Sequence, residues 1–424
     1  MFRRAFFFLA GILALAACGE TVPPPGPFVT MPGRTPAPMA SQPSFLPSPA
    51  APAGHGIALL APLTGPNAAL GPALVNAAQL ALASPGSPAL DVRDTGGTPD
   101  GAAAAASAAL AAGAGLIIGP LTAAETAAVV PLARSAGVAV LAFTNDPAQA
   151  QPGVWPLGIT PVQQVRRLVG TAIAQNKGRF AAALPNSAFG QSMATALTQA
   201  LAAAAGPTPD IRFYESSNAG ISATMRDLSN YANRRGPLEA QRRAALALHT
   251  AEGRRQAADL SRQAIPPPPF DSLLLAETGD RLAWLASFLS YYDIETPTVQ
   301  VMGPILWAAP AARSGADLNG AWYAAPDSGT RATFETAYTT KYGAAPPGLA
   351  DFAFDAAAIG RVLAAEGQFS FGALCRPEGF AGVDGLLALQ TDGTVRRGLA
   401  LFAIDHGGAS MIEPAPASIT APGI

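Results

Sequence analysis

Cysteine, histidine and charge are all scarce in this chain. Its 424 residues include two cysteines, Cys18 and Cys375, so a disulfide-rich scaffold is excluded. The three histidines, His55, His249 and His406, lie far apart, and none stands at a metal-ligand spacing with Cys, Asp or Glu. Charged residues make up 13% of the chain, 26 basic against 28 acidic. Nothing in that balance provides the basic surface that nucleic acid requires. The motifs of covalent and nucleotide chemistry are missing too: there is no Gly-x-Ser-x-Gly elbow and no Gly-x-x-x-x-Gly-Lys loop. Gly96-Gly97 lacks the spaced glycines of a dinucleotide site. No pair of carboxylates is nominated for glycoside chemistry. These absences point away from an enzyme, a metal, a cofactor and a nucleic-acid partner.

Apolar residues are plentiful, at 50% of the chain, enough to build a large core. The chain opens with Arg3 and Arg4 and an apolar run from Ala5 to Ala17. That is a secretory signal, too short to be a permanent membrane span. Leu15-Ala16-Ala17-Cys18 resembles a bacterial lipoprotein box, which implies cleavage after residue 17 and a lipid on Cys18. An ordinary secretory signal that ends in cysteine is the alternative. With Cys18 lipidated, Cys375 is a lone thiol; a Cys18–Cys375 disulfide is the competing reading. Residues 18–54 form a tether rich in Pro, Ala and Ser. Its 36 residues after Cys18 reach at most ~110 Å as polyproline.

From Gly56 the pattern changes. Short apolar runs such as Ile57–Ala61, Leu90–Asp94, Gly115–Gly119 and Val138–Phe143 alternate with helical stretches across short Gly-containing loops. This is the signature of a parallel sheet covered by helices on both faces. A second block repeats it from Val162 to Met302. Near the end, Leu386–Gln390, the Asp392-Gly393 turn and Gly398–Ile404 read as a hairpin. One segment breaks the alternation: residues 237–265 read as an extra helix or helical pair. Seven arginines fall between Arg234 and Arg262, against Glu239, Glu252 and Asp259. They form either a solvated helical face or a basic docking arm built on Arg242, Arg243, Arg254 and Arg255.

Ile57–Pro66, Asp94-Thr95-Gly96-Gly97, Ile117–Thr122, Val140–Asn145 and Phe380–Gly385 resemble, in order, segments of type I periplasmic binding proteins of the leucine/isoleucine/valine-binding class. The resemblance covers residues 56 to about 405. It implies an α/β fold with two doubly wound parallel-sheet lobes joined by three crossovers. These are expected near Gly158–Pro161, Tyr323–Asp327 and Gly367–Phe371. Lobe 1 is then 55–159 plus 327–370, lobe 2 is 160–326 plus 371–410, and 411–424 is a tail.

The resemblance places a ligand in the cleft between the lobes, near Thr122, Thr144, Asn145, Asp146, Asn186, Phe189 and Glu277. It expects a Glu after Gly303-Pro304, where Ile305 stands, and a Tyr where Phe189 stands. A ligand ammonium would then lack its usual carboxylate, unless Asp146 or Glu277 supplies one. Thr122 and Asn145 also fit helix caps. Glu277 fits a helix start, and Phe189 fits packing.

Within the superfamily, the lipobox, the tether, Leu121-Thr122-Ala123, Gln163–Arg167 and Tyr291–Ile294 resemble the penicillin-binding protein activator lipoproteins. That resemblance implies a periplasmic lipoprotein that activates a peptidoglycan synthase by direct contact. Some of those relatives carry an N-terminal helical-repeat domain, for which residues 18–55 leave no room. Gly19 is not the aspartate that retains lipoproteins in the inner membrane, so the inner leaflet of the outer membrane is implied. The alternative is the substrate-binding lipoprotein of an ABC importer, whose partners would be a permease and a small ligand such as an amino acid.

Overall fold

The computed structural model describes residues 56–406, 408–420 and 423. The signal, Cys18 and the tether lie outside the described residues. The chain begins with β1 (Gly56–Ala61), α1 (Gly71–Ala81), β2 (Leu90–Asp94), α2 (Pro99–Ala111), β3 (Ala114–Ile118), α3 (Ala123–Ala136), β4 (Ala139–Ala142) and β5 (Val154–Pro156). The strands form one parallel sheet in the order β2-β1-β3-β4-β5. Their near-continuous apolar sequence is what two covered faces require. Along β1, Ile57, Leu59 and Ala61 enter one core with α1, while Ala58 and Leu60 enter the other with α2 and α3. That division follows from the two-residue period of a strand. Thr98 and Thr122 cap α2 and α3 through their hydroxyls, and Gly137 ends α3 at φ 67°.

The chain then crosses to a second sheet through α4 (Pro161–Ala174), β6 (Phe180–Pro185), α5 (Ala188–Ala203), β7 (Asp210–Tyr214) and α6 (Asn218–Leu228). The Arg-rich insert is a helical hairpin, α7 (Tyr231–Ala247) and α8 (Ala251–Arg262). It is followed by β8 (Ser272–Leu275), α9 (Gly279–Tyr291), β9 (Gln300–Gly303) and β10 (Trp322–Ala325). Next, α10 (Ser328–Tyr342) and α11 (Ala350–Ala365) return to the first lobe, where Phe334, Tyr338, Phe352, Ile359 and Leu363 join its core. The remaining elements are α12 (Phe371–Leu374), β11 (Phe380–Gly382), β12 (Gly385–Leu389), β13 (Val395–Arg397), β14 (Ala400–Asp405) and β15 (Gly408–Glu413). The second sheet has the order β15-β14-β10-β9-β8-β6-β7, with β14 and β15 antiparallel at its edge. No described helix is long and apolar enough to cross a membrane.

Four expectations about the C-terminal part need correction. The strand that pairs with β12 is β13, not Gly398–Ile404, which instead joins the second sheet as β14. The Asp392 carboxylate accepts the Thr394 N–H (2.8 Å) and hydroxyl (2.7 Å), so the chain reverses at once into β13. The third crossover is therefore at Gly398-Leu399, between β13 and β14, and not at Gly367–Phe371. Residues 380–397 belong with the first lobe, because Phe380, Leu387, Leu389 and Val395 pack into its core. Nor is everything after residue 410 a tail, since β15 runs to Glu413 and pairs with β14.

Candidate functional site

Parallel α/β sheets bind ligands beyond the carboxyl ends of their strands. The candidate cleft residues sit there: Thr122 after β3, Thr144 to Asp146 after β4, Asn186 after β6 and Glu277 after β8. Local hydrogen bonds already employ most of them. The Thr122 hydroxyl donates to Glu125 Oε2 (2.7 Å) and accepts the Glu125 N–H (3.2 Å), and Glu125 is fully buried. This is a capping box that closes the N-terminus of α3. The buried Thr144 hydroxyl accepts the Asp146 N–H (3.1 Å), and the Asp146 carboxylate accepts the Ala148 N–H (3.0 Å). Asn145 is exposed, with the backbone of Gly158 pressed against it; a Cβ on that glycine would lie 2.7 Å from Asn145. The amide of Asn186 is exposed and donates to Glu215 (3.2 Å). Phe189 packs half-buried against the core beneath α4 and α5.

Glu277 is the buried carboxylate on the second lobe's wall. One oxygen accepts the Tyr214 hydroxyl (3.3 Å), and the other accepts Arg281 Nε (3.1 Å). Burial first, and then the Glu277 charge, push the Tyr214 phenol well above its ordinary range. Beside them Trp307, fully buried, donates its indole N–H to the Glu277 carbonyl (2.9 Å) and lies flat against Gly303, where a Cβ would run into the ring. Ile305, in the place expected for a Glu, donates its N–H to Gln164 of α4 (2.8 Å). The wall that would meet a ligand ammonium is thus occupied by an aromatic plug and a carboxylate with both oxygens engaged. Trp307 was not nominated by sequence reasoning, and Gln164 entered only within the Gln163–Arg167 resemblance, not as a cleft residue.

A second polar cluster went unnominated because it is assembled from distant segments. Arg397, at the end of β13, is fully buried. It donates to the Leu157 carbonyl at the first crossover (2.7 Å) and stands 3.8 Å from both Asp355 and Asp384. Asp355 accepts the Val383 N–H (2.7 Å). Asp351 accepts Arg331 Nε (2.6 Å) from α10, directly after the second crossover. Thr330 donates to the Val383 carbonyl (2.8 Å). The three crossovers are therefore tied to one buried network. Burial drives Asp351 and Asp355 up to about 7; the Asp384 charge adds to the rise at both, and Arg397 opposes it at Asp355. Asp384 is raised as well, mainly by burial.

These shifts carry a sign. A carboxyl raised in the folded state favours folding below its unfolded value, near ~3.9. That contribution is lost as pH rises through about 7. Asp351→Asn mimics the protonated acid. Its stability relative to the native chain should improve by roughly 1–3 kcal/mol between pH 5 and pH 8, as read by urea unfolding at both values. A difference that stays flat with pH would refute the raised titration of Asp351.

The insert places all four candidate docking arginines near the tip of one hairpin, Arg242 and Arg243 on α7 and Arg254 and Arg255 on α8. Arg243, Arg254 and Arg255 are exposed, while Arg242 pairs with Glu239 (3.0 Å). Leu246 and Leu248 are exposed at the same tip, Leu248 by 62%. Arg234 plays another part: it is buried and donates to the carbonyls of Ser229, Tyr292, Pro266 and Asp293, fastening the hairpin's base to the lobe. Cys375 is half-buried, and burial followed by the Asp392 charge pushes its thiol up. Among the described residues, no group of three or more His, Cys, Asp or Glu is placed to hold a metal.

The family model described as periplasmic binding protein matches residues 56–374. A curated relative, the uncharacterized protein RP748 of Rickettsia prowazekii (strain Madrid E), is 25% identical over 118 residues, 28% of this chain. The chain spans 32% of that relative's length. Among solved structures, a protein assigned as a branched-chain amino acid ABC transporter from Rhodospirillum rubrum superposes with TM-score 0.63 at 18% identity, over 84% of this chain and 99% of that one. The C-domain of LpoA (YraM) from Haemophilus influenzae, a regulator of PBP1A, gives 0.61 at 17% identity, over 84% and 99%. Full-length LpoA gives 0.60 at 16% identity, over 86% of this chain and 59% of that one. At such identities the likeness concerns the fold, two α/β lobes of the type I periplasmic-binding-protein kind. By the match over residues 56–374, this chain belongs to the periplasmic binding protein family.

Proposed function

We propose that this chain is a periplasmic lipoprotein that activates a peptidoglycan synthase, a penicillin-binding protein, by direct contact. The observation that carries this reading is the engagement of Glu277 by Tyr214 and Arg281, with Ile305 where the resemblance expects a Glu. A cleft whose buried carboxylate is already satisfied gives little to a ligand ammonium, and desolvating that ammonium without a partner costs several kcal/mol. The fold is then used as a surface. The hairpin tip joins exposed leucines to arginines, which suits a partner surface with an apolar centre and an acidic rim. The LpoA C-domain, a regulator of PBP1A, shares the fold. Cys18 would anchor the chain in the inner leaflet of the outer membrane, and the tether would let the folded part reach a synthase across the periplasm.

The second reading, the substrate-binding lipoprotein of an ABC importer with its permease and a small ligand, is supported by the Rhodospirillum rubrum likeness. Two measurements separate the readings. Charge reversal of Arg242, Arg243, Arg254 and Arg255 to Glu should weaken binding to the purified bifunctional synthases of the same organism by at least ~10-fold, measured by surface plasmon resonance. Unchanged binding would remove the hairpin from the interface. A thermal-shift screen with amino acids should give no stabilisation. A rise of several degrees with one amino acid would support the importer reading instead.

A further inference from the structure

Residues 414–424 follow β15, lie beyond the family match and include Pro414 and Pro416. Their path starts on the second lobe. Arg167 of α4 is buried, and its Nη2 donates to Glu413 Oε2 (2.9 Å) and to the Pro414 carbonyl (3.2 Å). The Thr171 hydroxyl donates to the same Glu413 oxygen (3.2 Å). The segment then meets the first lobe. The Ala415 N–H donates to Asp327 Oδ2 (3.3 Å), while the other Asp327 oxygen caps α10 directly after the second crossover.

Two glycines of the first lobe give the segment room. The Ala415 methyl faces Gly385 at the start of β12, where a Cβ would lie 3.6 Å from it. Ile419, half-buried, sets its Cδ1 against Gly379 at the entrance to β11, where a Cβ would lie 3.1 Å away. Gly423 then rests on α4 again, close enough that a Cβ on it would lie 3.2 Å from the Arg167 Cα. We propose that the segment after Glu413 is a clasp: it crosses from the second lobe to the first and back, and it must let go of the first lobe before the lobes can rotate about their crossovers.

A tail resting on one lobe would leave such rotation free. Here Arg167 holds the start of the segment and meets its returning end, while Asp327, Gly385 and Gly379 hold the middle. Rotation of the lobes has to slide or part at least one of these contacts. Each contact is weak alone, but the segment is covalently joined to β15, so its recapture by the first lobe is intramolecular and strongly favoured. Pro414 and Pro416 narrow the freedom of the released segment and lower the cost of ordering it again. Contacts made in one lobe arrangement only shift the population toward that arrangement, whatever partner the chain meets.

The test compares the full chain with one ending at Glu413 and with Ile419→Ser. Spin labels at Ser107→Cys on α2 and Ser192→Cys on α5, both exposed, report the distance between the lobes by double electron–electron resonance, with Cys18→Ser and Cys375→Ser removing the native thiols. The full chain should give one narrow distance. The shortened chain should give a broader distribution or a second distance, and Ile419→Ser a smaller change of the same kind. Amide exchange at residues 157–160, 326–327 and 398–399 should become at least ~10-fold faster in the shortened chain, with β1, β3, β6 and β8 unchanged. Distances that stay the same in both variants would overturn the proposal. So would exchange that rises equally in the central strands, because the segment would then stabilise the whole fold rather than restrain the lobes. If the shortened chain does not fold, Ile419→Ser decides alone, and an unaltered distance overturns the clasp.

Discussion

Arg397→Ala should cost about 3–5 kcal/mol of unfolding free energy, the toll of removing one partner from a buried ion-pair network. The side chain is fully buried, donates to the Leu157 carbonyl and is the cation facing both Asp355 and Asp384 at 3.8 Å. Its loss strands two carboxyls and one carbonyl in a dry interior. The carboxyls then have to stay protonated, so the deficit should grow from pH 5 to pH 8. Urea unfolding at both pH values reads the effect. Adding Asp355→Asn and Asp384→Asn to Arg397→Ala should recover part of it, because those changes remove the stranded charges. A cost below ~1 kcal/mol at pH 8 would mean that the network is solvated and that its link to the crossovers is incidental.

Trp307→Ala should cost a comparable ~3–5 kcal/mol, the range for truncating a large buried aromatic. The indole fills the space over Gly303, packs in the core with Leu275 and Tyr323, and satisfies the Glu277 carbonyl. The substitution leaves a cavity and an unpaired buried acceptor, and both raise the cost. It also tests the reading of the cleft. If the plug closes the second lobe's wall, the alanine variant should gain measurable thermal stabilisation from small aromatic or aliphatic solutes that leave the native chain unaffected. A variant that is as stable as the native chain would show that Trp307 contributes no packing there.

Much of the scaffold was legible because its signals are local. Apolar runs of four to six residues between helical stretches mark covered parallel strands, and β1, β3 and β6 answer to that description. Thr122 and Thr160 precede Glu125 and Gln163 at capping-box spacing, so helix starts are written within four residues. The end of the chain was harder. Val395-Arg396-Arg397 holds two charges in three residues and is assigned to no element from sequence, yet it is a strand whose last residue is buried. A charge that will be neutralised by distant carboxylates has no local mark. Arg234 teaches the same lesson: in sequence it is one arginine of a basic run, while in the fold it is a buried fastener.

By itself the sequence determined the alternation of strands and helices, the two-block architecture, the Arg-rich insert and the chain positions at which strand ends could meet a ligand. Periodicity, caps and turn residues act over a few neighbours, so one chain suffices to read them. Only the tertiary structure decided what those positions do. It spends Glu277 on Tyr214 and Arg281, seats Trp307 against Gly303, and joins Arg331, Asp351, Asp355, Asp384 and Arg397 across the crossovers. The reason is physical. Whether a polar side chain is available to a ligand depends on its desolvation and on its partners, and both are set by residues far away in the chain.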